Sequence, residues 1–205
     1  MLLFDLFARM VMMKTVSLAL VFLCASPAAS SDDAHEILPP SGIRARGSYE
    51  TRYFNQSLDH FESLPFQGTW QQRFLYSDEH WNKKESLRLE NGCPGPLLLY
   101  TGNEGAITGF WSSNGFMIDV LAPRFGGLLI FPEARFYGKS LPFGPQKSFQ
   151  SKYLQYLSTE QILADYVALV RYLKSTLANA ANCPVIAVSI SFSWIVMFSI
   201  IRSSC

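Results

Sequence analysis

Three short apolar runs constrain this chain more than any other feature: Leu97-Leu98-Leu99-Tyr100, Leu128-Leu129-Ile130-Phe131 and Val185-Ile186-Ala187-Val188. Each is continuous rather than alternating, and the first two suit strands buried on both faces. Helical patterns lie between them. Gly115 to Arg124 reads as a helix with Phe116, Val120 and Leu121 on its inner side, ended by Gly126-Gly127. Thr159 to roughly Ala178 is the clearest helix, with Ser158 as its cap and Gln161 at the reciprocal place of a capping box. Ile162, Tyr166, Leu169, Val170, Leu173 and Leu177 share one face of it. Strand, helix, strand, helix, strand predicts βαβ units and a parallel sheet covered on both faces. Upstream, Tyr49 to Phe61 mixes aromatic and polar residues, and Thr69 to Tyr76 alternates as an antiparallel strand does. The fold class is therefore α/β, with a mixed, largely parallel sheet and flanking helices.

The composition agrees. The chain has 205 residues, 49% of them hydrophobic, enough for one domain with a real core. A net charge of +1 with no basic block argues against nucleic acid as a partner. The four cysteines (Cys24, Cys93, Cys183, Cys205) form no CxxC pair, and His35, His60 and His80 are scattered, so neither a metal site nor a cofactor is expected. Oligomeric state is not legible. Lys14, the apolar run Val16 to Ala25 and the small residues Ala28-Ala29-Ser30 predict a signal peptide over residues 1–30, with Met13 a more natural start than Met1. Its removal takes Cys24 and leaves an odd thiol in an oxidising compartment. Residues 31–48 are polar, carry Pro39-Pro40 and Gly42, and read as a linker or propeptide-like lead-in. Asn55-Gln56-Ser57 is a glycosylation acceptor that fits secretory or lysosomal routing.

Sites in open α/β sheets form at the carboxyl ends of strands, and two loops qualify. Thr101-Gly102-Asn103-Glu104-Gly105 leaves the first buried run; glycines there let backbone N–H groups approach a developing oxyanion. Val188-Ser189-Ile190-Ser191-Phe192-Ser193-Trp194 leaves the third, where an α/β-hydrolase turns sharply and lifts a nucleophilic serine above the sheet. That turn wants small residues two before and two after its serine; those places hold Ser189 and Ser193, with Ile190 and Trp194 beside them. In this fold the acid and histidine follow the serine. After Ser191 there is no Asp, Glu or His: the last carboxylate is Asp165 and the last histidine His80. Without a general base, serine is a weak nucleophile. Asp59-His60 invites a catalytic reading too. A turn joining two edge strands is favoured, because side chains adjacent in a strand point to opposite faces.

Several blocks together resemble one family. Tyr100-Thr101-Gly102-Asn103-Glu104-Gly105 is the first, and Arg135-Phe136-Tyr137-Gly138-Lys139-Ser140-Leu141-Pro142-Phe143-Gly144 the second. Leu157-Ser158-Thr159-Glu160-Gln161 with Ala164-Asp165, Pro184-Val185-Ile186-Ala187, Asp59-His60-Phe61 and Gln72-Arg73-Phe74 complete them, in order from Tyr49 to Ala187. They are similar to the proline-specific serine exopeptidases that include lysosomal Pro-Xaa carboxypeptidase and dipeptidyl peptidase II. The blocks do not separate these two members, although Gly138-Lys139-Ser140 leans slightly to the dipeptidyl peptidase. The resemblance implies an α/β-hydrolase, of which this chain is the N-terminal part. It also implies a peptide substrate with proline, acid-pH work in lysosomes, vesicles or secretions, and an active-site loop at Gly102, Asn103, Glu104 and Gly105. Two departures stand out. The family usually has histidine at Ala134, and its elbow usually reads Gly-Gly-Ser-Tyr-Gly-Gly after the residue at Val188. Aligned without gaps, only Ser191 falls on the nucleophile.

The expectation is a partial α/β-hydrolase domain over residues 49–187 and a divergent hydrophobic tail over 188–205, truncated at the elbow and inactive. Val188-Ser189 can be encoded by GTA-AGT, the consensus start of an intron, which would make the tail translated intron. Two rivals compete: a non-catalytic secreted binding protein, and a protein anchored through Val185 to Ile201. That stretch is uncharged and just long enough to span, but diluted by four serines; a membrane partner is the less favoured reading.

Overall fold

A computed structural model of the chain describes residues 47–82, 88–101 and 104–188. Five strands form one sheet. They are β1 (Glu50–Ser57), β2 (Thr69–Ser77), β3 (Leu97–Tyr100), β4 (Leu128–Pro132) and β5 (Val185–Val188), in spatial order β1-β2-β4-β3-β5. The three apolar runs are β3, β4 and β5, and β3 pairs in parallel with both others. Leu97 lies opposite Leu128 on one side and Val185 on the other. β1 and β2 are antiparallel, and β2 adds to the far edge of β4, with Leu75 opposite Phe131. This is the mixed α/β sheet expected of an α/β-hydrolase.

Helices cover both faces. α1 (Ile107–Ser113), a π-helical stretch (Phe116–Leu121) and the short α2 (Ala122–Phe125) lie between β3 and β4; a 3-10 turn (Ser151–Tyr156) and α3 (Thr159–Thr176) lie between β4 and β5. Because successive strand residues point to opposite faces, each strand feeds two cores. Leu97, Leu99, Leu128 and Ile130 pack with Tyr166, Leu169, Val170 and Leu173 of α3. Leu98, Leu129 and Phe131 pack with Ile107, Trp111, Met117, Ile118 and Ala122 on the other side. Each such leucine contributes about 1.5–3 kcal/mol by leaving water. That explains why strands of four or five residues suffice.

Two expectations need correction here. Residues 115–124 are not one regular helix, and Phe116 and Val120 are exposed while Met117, Ile118 and Ala122 are buried. The π-helical winding rotates the buried face by one position, and α1 ahead of it carries Ile107 and Trp111 inward. The alternation expected of β2 holds only at its start: from Gln72 to Ser77 every residue is buried. β2 is an interior strand between β1 and β4, with Phe74 and Tyr76 in one core and Leu75 in the other.

The cap of α3 is half the expected device. Ser158 Oγ accepts from Gln161 N at 3.3 Å, but the Gln161 side chain turns away, donating to Asp59 Oδ1 at 2.5 Å and accepting from His60 N at 3.1 Å. Asp59-His60 lies in the connection from β1 to β2, which joins an edge strand to an interior one rather than two edge strands. Both side chains nevertheless reach α3, because beyond the strand the alternation rule no longer separates them. Cys93 and Cys183 form a disulfide with Cα atoms 5.1 Å apart, clamping the entrance of β3 to that of β5. Val185–Val188 belongs to the sheet, so the span imagined from Val185 to Ile201 loses its first four residues to a strand. No helix among the described residues is long and apolar enough to cross a membrane.

Candidate active site

β3, β4 and β5 run parallel, so their carboxyl ends meet at one edge. Thr101 N donates to Val188 O at 3.1 Å there, tying the exit of β3 to the last residue of β5. The chain leaving β3 passes Glu104, which is exposed, and Gly105, which is half-buried, and enters α1 at Ile107. A Cβ on Gly105 would meet the Phe110 ring at 3.3 Å, so glycine lets this loop lie close over α1. Beneath it Tyr100 stacks on Phe131, ring centroids 4.8 Å apart, and Trp111 sits 4.8 Å from the same ring.

The chain leaving β4 is more elaborate. Glu133 is fully buried and accepts four hydrogen bonds. Arg73 gives two, Nε to Oε2 at 3.1 Å and Nη2 to Oε1 at 2.5 Å. Ile107 N gives the third to Oε1 at 3.1 Å, and Lys139 N the fourth to Oε2 at 2.9 Å. A buried carboxylate is tolerable only when paired and saturated in this way. Phe136 holds φ +69°, a left-handed conformation that costs a non-glycine residue energy. The kink is fixed by Phe136 N donating to Ser140 O at 2.8 Å and by Phe136 packing among Leu58, Trp70 and Tyr156. It carries Tyr137 to the rim. Burial, and then the Glu104 carboxylate, raise the Tyr137 hydroxyl above its ordinary titration range.

Arg135, two residues along, points the other way. It is fully buried, with Nε and Nη2 each 2.7 Å from Asp165 of α3, and Nη1 donating to Leu58 O at 3.0 Å and Tyr156 O at 3.1 Å. His60 Nε2 is 2.8 Å from Asp165 Oδ1. Gln56 Nε2 reaches Asp165 O and Gln72 Oε1, and Gln72 Nε2 donates to Glu133 O at 3.0 Å. A continuous buried polar chain thus runs from α3 across β1 and β2 to the loop after β4.

A family model described as serine carboxypeptidase S28 matches residues 56–202. The chain belongs to the serine carboxypeptidase S28 family. It is 43% identical to human lysosomal Pro-X carboxypeptidase over 145 residues, 71% of this chain and 27% of that protein. The bovine lysosomal Pro-X carboxypeptidase is 41% identical over 173 residues, 82% of this chain and 32% of the relative. A Caenorhabditis elegans protein named prolyl carboxy peptidase like protein 5 is 43% identical over 88 residues, 43% and 17% of the two lengths. The chain spans at most about a third of these relatives.

The S28 match continues past Ala187, where the recognisable blocks end, into the stretch that holds Ser191. Ser191 itself, Gly102 and Asn103 lie outside the described residues, so of the expected site residues only Glu104, Gly105 and Asn55 are placed. Asn55 is exposed on the edge strand β1, separated from β3 by two strands, with its side-chain Oδ1 accepting from Gln71 Nε2 at 3.3 Å. The lean of Gly138-Lys139-Ser140 toward a dipeptidyl peptidase finds no echo in these carboxypeptidase names. Sequence reading missed Glu133 and its partner Arg73. The available signal was a glutamate directly after a continuous apolar strand, since charged groups are rarely buried unless paired. Ala134, where the family usually has histidine, is buried.

Proposed function

We propose that this S28 chain serves a serine-type exopeptidase reaction on peptides at proline, and that its described part receives the peptide. The observation that carries this is the meeting of the post-β3 and post-β4 loops. The Glu133 carboxylate accepts from Ile107 N, where the chain leaving β3 enters α1, and from Lys139 N of the loop after β4, beyond the carboxyl edge of the parallel strands, the place where open α/β sheets bind ligands. The aromatic floor of Tyr100, Phe131 and Trp111 supports both loops, and S28 relatives named Pro-X carboxypeptidases supply the substrate class. Ser191 falls at the nucleophile position, but no acid or histidine follows it in these 205 residues.

The test uses the secreted protein and a peptide ending in Pro-Xaa. Saturable binding, weakened when alanine replaces the proline, is expected, with no product above the level of Ser191→Ala. Product release that Ser191→Ala abolishes would show a complete catalytic site instead, and absence of binding would remove the reading altogether. The leader pattern and the lysosomal names of the relatives support a secretory route to lysosomes, vesicles or secretions. Glycosylation at the exposed Asn55 fits that route; a mobility shift on endoglycosidase digestion, absent in Asn55→Gln, checks it.

A further inference from the structure

We infer that Glu133 is a positioning residue that sets the spacing of the two loops receiving the peptide. Its carboxylate touches both. Oε1 accepts from Ile107 N, where the chain leaving β3 enters α1, and Oε2 accepts from Lys139 N, at the tip of the loop after β4. Arg73 of β2 grips both oxygens from behind, so the carboxylate cannot rotate without breaking an ion pair. Arg73 is held in turn, its own N–H donating to Ser140 Oγ at 3.0 Å and its carbonyl accepting from Glu133 N at 2.9 Å. The loop is shaped around this carboxylate. A Cβ built on Gly138 would fall 1.9 Å from Glu133 Oε1, and Gly138 holds φ +53°, so only glycine lets the loop close over it. The result is a rigid brace from the middle of the sheet to both rims of the site. Such a brace is what precise placement of a binding loop requires.

Glu133 does not reach the rim and is not itself a ligand contact. Its effect passes through the backbone at Ile107 and Lys139. The comparison residue is Asp165 of α3, equally buried and equally paired with an arginine, but bonded to the Arg135 and His60 side chains rather than to the Ile107 and Lys139 amides. If Glu133 only contributed stability, the two substitutions would behave alike.

The experiment is amide hydrogen exchange on the full 205-residue chain. A glutamine at 133 keeps one acceptor oxygen and turns an N–H₂ toward the other amide. In Glu133→Gln, Ile107 or Lys139 should therefore exchange about tenfold faster or more. The Leu97–Tyr100 amides should stay as protected as before. Asp165→Asn should leave Ile107 and Lys139 unchanged. Unchanged exchange at both amides in Glu133→Gln, or an equal rise there in Asp165→Asn, overturns the inference. Should Glu133→Gln not fold by circular dichroism, Glu133→Asp carries the same test: it keeps a negative charge opposite Arg73 but is one methylene too short for both amides. The peptide side rests on the proposed function. Affinity for the Pro-Xaa peptide should fall about tenfold in Glu133→Gln and hold in Asp165→Asn. Equal affinity of Glu133→Gln and the unsubstituted protein would overturn the link to the site. If the unsubstituted protein binds no peptide, the proposed function fails, and the exchange data alone decide whether Glu133 sets the spacing of the loops.

Discussion

At the scale of single residues, Asp59 shows how a side chain with a catalytic look does structural work. Burial acts to raise its pKa, but donors outweigh burial. Phe61 N at 3.0 Å, the Gln161 side chain at 2.5 Å, Leu64 N at 2.7 Å and Gln67 together hold the carboxyl well below its ordinary 3.8. A depressed folded-state pKa means the stabilisation is present above the unfolded value and is lost as pH falls through the folded one. The unfolding midpoint in urea should therefore favour the unsubstituted protein over Asp59→Asn by a constant margin from neutral pH to about 5. The margin should shrink below about 4. A margin that grew on acidification would contradict this assignment. Strand alternation is the wrong ground for setting Asp59-His60 aside, because both residues lie beyond the end of β1 and both side chains reach α3. The pairing of His60 with Asp165, and of Asp165 with Arg135, was not legible in the sequence. Those contacts span 105 and 30 residues, and no periodicity records which distant side chain meets which.

At the scale of elements, α3 was the most legible part of the chain. Its face of Tyr166, Leu169, Val170 and Leu173 is buried as the 3.6-residue period requires. What sequence could not say is that Gln161 is committed to the β1–β2 turn rather than to its own helix end. The consequence is measurable. Ser158→Ala loses one cap bond and should cost about 1 kcal/mol. Gln161→Ala also strips a hydrogen bond from the buried Asp59 carboxylate and one from His60 N, and should cost more, about 1.5–3 kcal/mol. Urea unfolding of the two variants should rank them in that order; the reverse would mean the capping box forms after all. The region 115–124 misled for a related reason. Its apolar residues fit a single helix face, but the π-helical winding shifts which of them point inward, and Trp111 and Phe131 had already claimed the space beside the sheet.

At the scale of the whole molecule, the sheet is assembled from pieces far apart in the chain. β2 precedes β3 in sequence yet pairs with β4, and β5 returns to the other side of β3. The Cys93–Cys183 bridge closes a separation of 90 residues around nearly all of that crossover. On the chain-entropy model, a closed loop of this size restricts the unfolded chain by about 4–5 kcal/mol. Cys93→Ser/Cys183→Ser should therefore unfold at markedly lower urea than the oxidised protein. Reduction of the oxidised protein should bring it to the same midpoint, and equal midpoints before and after reduction would show that the bridge adds nothing.

The amino-acid order alone determined three strands, two of them fully buried and the third half-buried, the long helix and the family. These rest on local period and on motifs read along the chain. Tertiary structure decided the π-helical face, the antiparallel addition of β2, the cysteine pairing and the Glu133 brace. Each of these depends on which distant groups must share a water-free space. A charge there survives only if the fold delivers its partner, and that delivery is a property of topology.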